Sequence, residues 1–141
     1  MGDNKFKKPK INQGKKVTVS DAQASANSRI DYPVFSFKHM HPNHDLSGCS
    51  SDEKISLIEQ LAKLSKMTWA EIRLLPRHGM GAEKIAISSI RSALPTSLDL
   101  TADVQDLFAF RFQAHKPFVG HLDGFIFHVL YIDNKYDVYS H

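Results

Sequence analysis

The chain reads as an α+β protein in which one strand and a two-helix hairpin precede an antiparallel meander of three to four strands. Two capping-box signatures, Ser50-x-x-Glu53 and Thr68-x-x-Glu71, each open a run of apolar residues at helical spacing. Phe108, Phe110 and Phe112 alternate with Ala109, Arg111 and Gln113, the period of a strand. Asp123-Gly124 between two apolar runs is the strongest hairpin signal in the chain. Helices grouped before strands, rather than alternating with them, make the class α+β and not α/β.

In chain order, residues 33–39 alternate so that Phe35, Phe37 and His39 share one side, which predicts a half-buried strand. The first helix starts at Ser50 and carries Ile55, Leu57, Ile58, Leu61, Ala62 and Leu64 to about Lys66. The second runs through Trp69, Ile72 and Leu75 and stops at Pro76, whose ring cannot continue a helix. Arg77-His78-Gly79-Met80-Gly81 follows as a turn, with two glycines open to unusual backbone angles. Residues 84–94 fit strand or helix equally, and 95–101 read as loop. Strands are then expected over residues 106–113, 117–122 and 125–132, with a last short one at 136–139.

The 141 residues fit one domain, and 42% hydrophobic content supplies an ordinary core. The expected organisation is a basic tail over residues 1–30 and a single domain over 31–141. Residues 1–31 hold seven Lys or Arg against three Asp, while the remaining 110 hold 11 basic and 12 acidic side chains. The overall charge of +3 therefore comes from the tail. With few large apolar residues, that tail cannot offset its ordering entropy. Its lysines, Lys5, Lys7, Lys8, Lys10, Lys15 and Lys16, suit RNA, DNA or ribosome contact through phosphate, or stand as a solvated leader with no partner. No apolar run approaches a membrane span, and the charged N-terminus lacks the apolar stretch of a secretory signal. One cysteine, Cys49, cannot form an internal disulfide, which points to a reducing, cytoplasmic setting without membrane attachment.

Three groups of residues are candidates for chemistry. His39, His41, His44 and Asp45 crowd into seven positions and offer metal ligands, with His121, Asp123 and His128 as further donors, but in no recognised metal-ligand spacing. Arg111, Lys116, His128, Tyr139 and His141 lie along the C-terminal strands, where antiparallel pairing can bring them to one concave face. Such a set suits RNA cleavage, which needs a base for the 2′-hydroxyl, a cation for the phosphorane charge and an acid for the leaving oxygen. Arg111, set between aromatic residues on a strand, must reach solvent or meet an anion. The bland alternative for His128 is a hydrogen-bonded core histidine, and for Tyr139 a phenol at a sheet edge. Arg77, His78 and Lys84, around two glycines, can receive a phosphate or simply end a helix; the P-loop pattern is absent. No serine-nucleophile motif is visible.

Phe110-Arg111-Phe112, His115-Lys116-Pro117-Phe118-Val119-Gly120, Asp123 to Leu130 and Val138-Tyr139-Ser140-His141 together resemble the end of RelE/YoeB-like bacterial toxins. The block Pro76 to Gly81 also looks like a signature of small phage and bacterial proteins. The toxin resemblance implies a RelE-like fold and a cytoplasmic, ribosome-associated, metal-independent endoribonuclease with no cofactor, belonging to a toxin–antitoxin pair and neutralised by its antitoxin protein. It implies that Arg111 holds the scissile phosphate, that Tyr139 or His141 moves a proton, and that Lys116 adds positive charge. The competing expectations are a non-catalytic nucleic-acid or protein-binding accessory protein of a phage or plasmid, and a metal-dependent enzyme built on the histidine loop.

Overall fold

The computed structural model describes residues 32–140. Their order is β1 (Val34–Ser36), α1 (Ser51–Ser65), α2 (Trp69–Arg73), β2 (Glu83–Ala86), β3 (Asp106–Gln113), β4 (Lys116–Asp123) and β5 (Ile126–Ile132), with single 3-10 turns at Leu46–Gly48 and Ile87–Ser89. The class is α+β. The five strands form one sheet in the order β1-β5-β4-β3-β2. β2 to β5 pair antiparallel, but β1 lies parallel to β5, so the sheet is mixed.

Both capping boxes form: the Ser50 and Thr68 hydroxyls accept from the third helical N–H, and Glu53 and Glu71 accept from the cap N–H in return. The face that α1 buries is narrower than its apolar spacing suggests. Glu53, Leu57, Leu61 and Leu64 are buried, whereas Ile55 and Ile58 lie off that line and are more than half exposed. With Trp69 and Ile72 of α2, this line covers Phe110, Phe112, Phe118, Phe127, Val129 and Ile132 of the sheet. The rings of Phe110, Phe118 and Phe127 meet at centroid distances of 5.3–6.1 Å, the spacing of favourable aromatic pairs. Trp69 Nε1 donates to the Phe125 carbonyl at 3.1 Å, tying α2 to the β4–β5 turn.

The opposite face carries a second core. Ile85, Leu107, Ala109, Val119, Leu130, Tyr131, Val138 and Tyr139 are buried there, with Ile87, Ile90, Leu94 and Leu98 packed against them. Among the described residues, irregular chain and not a helix packs on this face. The ambiguity of residues 84–94 resolves as a strand, a 3-10 turn and coil that lies on the sheet. Burial on both faces explains why β5 reads as a nearly continuous apolar run.

Several boundaries differ from expectation. β1 ends at Ser36 because the chain turns at Phe37, whose carbonyl accepts from Met40 N–H, and the alternation through His39 is lost. The segment beyond it follows β5 irregularly, with His41 N–H on Leu130 O and Ile132 N–H on His44 O, both at 2.7 Å. Residues 136–139 form no strand; a single bridge pairs Tyr139 with Ile90. Buried Asp133 accepts the Asp137 and Val138 N–H groups, and Tyr136 has positive φ, so this segment curls. In the Arg77–Gly81 turn neither glycine has positive φ. Gly81 is required by crowding: an added Cβ would stand 2.8 Å from Pro76 O. Gly124, at φ +64, is the position where the hairpin itself needs glycine. Among the described residues, no helix is long and apolar enough to cross a membrane.

Candidate functional site

Arg111 does meet an anion, and it belongs to the chain. Glu83 on β2 pairs in register with Ala109, and Arg111 lies two residues further on the same face of β3. Arg111 Nη2 donates to Glu83 Oε1 at 2.7 Å, with side chains only 15% and 24% exposed. Nη1 of Arg111 is also buried, yet it reaches no hydrogen-bond acceptor among the described residues. A buried guanidinium N–H left bare is costly, so native structures seldom keep one without reason. Tyr139 lies close enough to feel both charges. Burial pushes its phenol up to about 12, with Arg111 pulling down and Glu83 pulling up.

A second constellation stands on the same sheet face, away from Arg111. His121 and His128 are directly paired across β4 and β5, with nearly parallel rings 6.3 Å apart. His39 arrives from the loop after β1, its ring 5.2 Å from His128 and its Nδ1 2.8 Å from Ser97 Oγ. His128 Nδ1 is buried with no hydrogen-bond partner among the described residues. Burial first, then repulsion from His39 and His121, holds the His128 pKa below the usual imidazole value; burial does the same for His121, and Asp123 opposes both shifts.

The C-terminal set is therefore not gathered at one place. Arg111 pairs with Pro117 and His128 with His121, four residues further along β4, about 13 Å at strand rise. Lys116 turns to the helix side. Its Nζ donates to Glu53 Oε2 at 2.8 Å and to Gln113 Oε1 at 3.2 Å, and Glu53 Oε1 accepts from Asn134. This contact ties the first turn of α1 to the β3–β4 hairpin and holds the Glu53 carboxyl down at about 2. Tyr139 stays with Arg111. His141, two residues beyond it, lies outside the described residues, as do Lys5, Lys7, Lys8, Lys10, Lys15 and Lys16.

The histidine loop divides. His39 joins His128, while His41 and His44 pack on the Tyr131 ring, at 5.7 and 5.8 Å. His44 Nε2 meets Ser92 Oγ, and Asp45 caps the following 3-10 turn by accepting Ser47 N–H. No group of three or more His, Cys, Asp or Glu among the described residues is arranged to hold a metal ion. Arg77 and His78 are exposed, with Arg77 Nε on the His78 ring at 3.3 Å, while Gly79 and Gly81 N–H both turn inward to Pro76 O. Those two amides are thereby withheld from a phosphate.

Neither Glu83 nor Ser92 carries a signal of its partner in the sequence, because residues 84–94 fit strand and helix alike and so fix no neighbour. The His121–His128 pair was legible: an Asp123-Gly124 turn that pairs Asp123 with Ile126 also pairs 121 with 128. No family model matches the chain, and no curated protein or solved structure matches it.

Proposed function

We propose that this chain is a metal-independent RNA endonuclease of the RelE/YoeB kind, acting on messenger RNA at the ribosome and restrained by a partner antitoxin. The observation that carries the reading is Arg111, clamped by Glu83 through Nη2 while its buried Nη1 meets no acceptor among the described residues. A guanidinium fixed in this way is pre-oriented for a phosphate oxygen, and pre-orientation is what electrostatic catalysis needs.

With its phenol pushed up to about 12, Tyr139 stays protonated at neutral pH and serves as a donor, not a base. His141 then takes the 2′-hydroxyl proton, Arg111 neutralises the phosphorane, and Tyr139 donates toward the leaving oxygen. Lys116 and His128 stand apart from this centre and take no part in it. The lysines of residues 5–16 hold the RNA backbone through phosphate contacts.

A second reading follows from the same pair: a binding module in which Arg111–Glu83 is a tie between β3 and β2 and no chemistry remains. Inducible expression in a bacterium separates the two. Growth arrest with the wild-type chain, relieved by Arg111→Ala and by His141→Ala, is the expected outcome. Undisturbed growth with soluble wild-type protein contradicts the nuclease.

A further inference from the structure

Three residues far apart in sequence meet on the side of the sheet that irregular chain covers. Ser92 Oγ stands 2.9 Å from His44 Nε2, and His44 Nδ1 stands 3.8 Å from Asp137 Oδ1. The order hydroxyl, imidazole, carboxylate is that of an activated serine nucleophile, which is recognised by geometry and roles and not by position in the chain. This explains why no motif announced it. The three residues come from the loop after β1, the coil after the Ile87–Ser89 turn, and the C-terminal segment.

Each member is held from outside the trio. The His44 ring lies edge-on against Tyr131, and its carbonyl accepts from Ile132 N–H, which fixes the residue against β5. Tyr131 in turn donates its hydroxyl to the Ala93 carbonyl at 3.0 Å, fixing the residue after Ser92. Asp137 is placed by its own N–H on the buried Asp133 carboxylate. A carboxylate on the Nδ1 side favours the tautomer with hydrogen on Nδ1, leaving Nε2 to accept from the serine. The 3.8 Å gap is an ion-pair separation, and such contacts are commonly loose before substrate binds.

We propose that Ser92, His44 and Asp137 form a second reactive centre that transfers a short acyl group from an activated ester to water. Ser92 Oγ bonds to the carbonyl carbon as its proton passes to His44 Nε2. The carbon–oxygen bond to the alcohol then breaks, and the alcohol leaves with that proton. Water, deprotonated by the same nitrogen, releases the acid and restores the serine. Asp137 is a positioning residue in this scheme; its carboxylate faces the imidazole Nδ1 and not the ester. The proposal shares no residue with the RNA-cleavage reading, and its test reads no RNA.

The test uses the full-length protein and a fluorophosphonate probe, which replaces its fluoride with Ser92 Oγ, followed by peptide mapping of the labelled residue. Labelling at Ser92 is expected, slowed at least about 100-fold by His44→Gln and at least about tenfold by Asp137→Asn, with Asp137→Glu restoring most of the rate. Asp137 is 55% exposed, so its variants keep the fold even where His44→Gln does not. An unlabelled Ser92 in the folded protein overturns the proposal. So does a labelling rate that Asp137→Asn leaves unchanged.

Discussion

Arg111 and Glu83 join neighbouring strands through one 2.7 Å contact, which uses one of the three guanidinium nitrogens. The residues sit on the same sheet face because β2 and β3 pair antiparallel with Glu83 opposite Ala109. Truncating either partner leaves the other half-buried and unpaired, which costs about 1–3 kcal/mol. Replacing both with Met is expected to recover most of that loss, because two apolar side chains need no partner. Urea unfolding of the two single Ala variants and the double Met variant measures this. A double variant as unstable as either single one would show that the pair contributes more than mutual satisfaction.

His121 and His128 make stability depend on pH. Both are held below the ordinary 6.5 in the folded chain, so between the folded value and 6.5 the unfolded chain binds more protons. Their contribution is complete above about 6.5 and is lost as pH falls through the folded values. His41 follows the same sign, from burial and from His44. The thermal midpoint should fall from pH 7 to pH 5, and His128→Phe should flatten that slope. A slope unchanged by the substitution would place the pH dependence elsewhere.

Glu53 answers to a lower range. Its carboxyl is held at about 2, first by the Lys116 hydrogen bond and then by the Ser50 N–H, so its contribution stands above 4.5 and is lost as pH falls toward 2. Glu53→Ala removes the capping box together with the Lys116 and Asn134 contacts, an expected loss of about 1–2 kcal/mol. Asp52, in the same first turn of α1, supplies the control: Asp52→Ala should cost a fraction of that. Chemical denaturation of both variants at pH 7 decides it.

Gly120 faces the strand that carries His128, where the β4–β5 register slips by one residue. An added Cβ would stand 2.6 Å from the Phe127 ring and closer still to the His128 carbonyl oxygen. Gly120→Ala is therefore expected to cost about 3 kcal/mol or to prevent folding. Gly48→Ala, which meets nothing within 4 Å, should leave the melting temperature near wild type.

Where local chemistry decides an element, it was legible in the chain. The Ser50 and Thr68 boxes set both helix starts, and Asp123-Gly124 set the hairpin that places His121 opposite His128. Partners decided by tertiary packing were not. Glu83 precedes a segment with no clear period, yet it provides the anion that Arg111 requires. Ile55 and Ile58 follow helical spacing but fall outside the line of Glu53, Leu57, Leu61 and Leu64 that meets the sheet. Lys116 shares the hairpin with Arg111, but the β3–β4 turn, with Ala114 at φ +52, sends its ammonium to Glu53 on the helix side. His39 left its strand at the Phe37 turn and crossed to the His128 ring, a change of face that alternation cannot foretell.

The most direct test of the nuclease reading is the chemical nature of RNA ends after brief induction. Attack by a 2′-hydroxyl without metal leaves a 2′,3′-cyclic phosphate and a 5′-hydroxyl. New messenger RNA ends of that kind are expected with the wild-type chain, and their loss in an Arg111→Lys protein that remains soluble. No new ends, or ends undiminished by Arg111→Lys, would contradict the role assigned to Arg111.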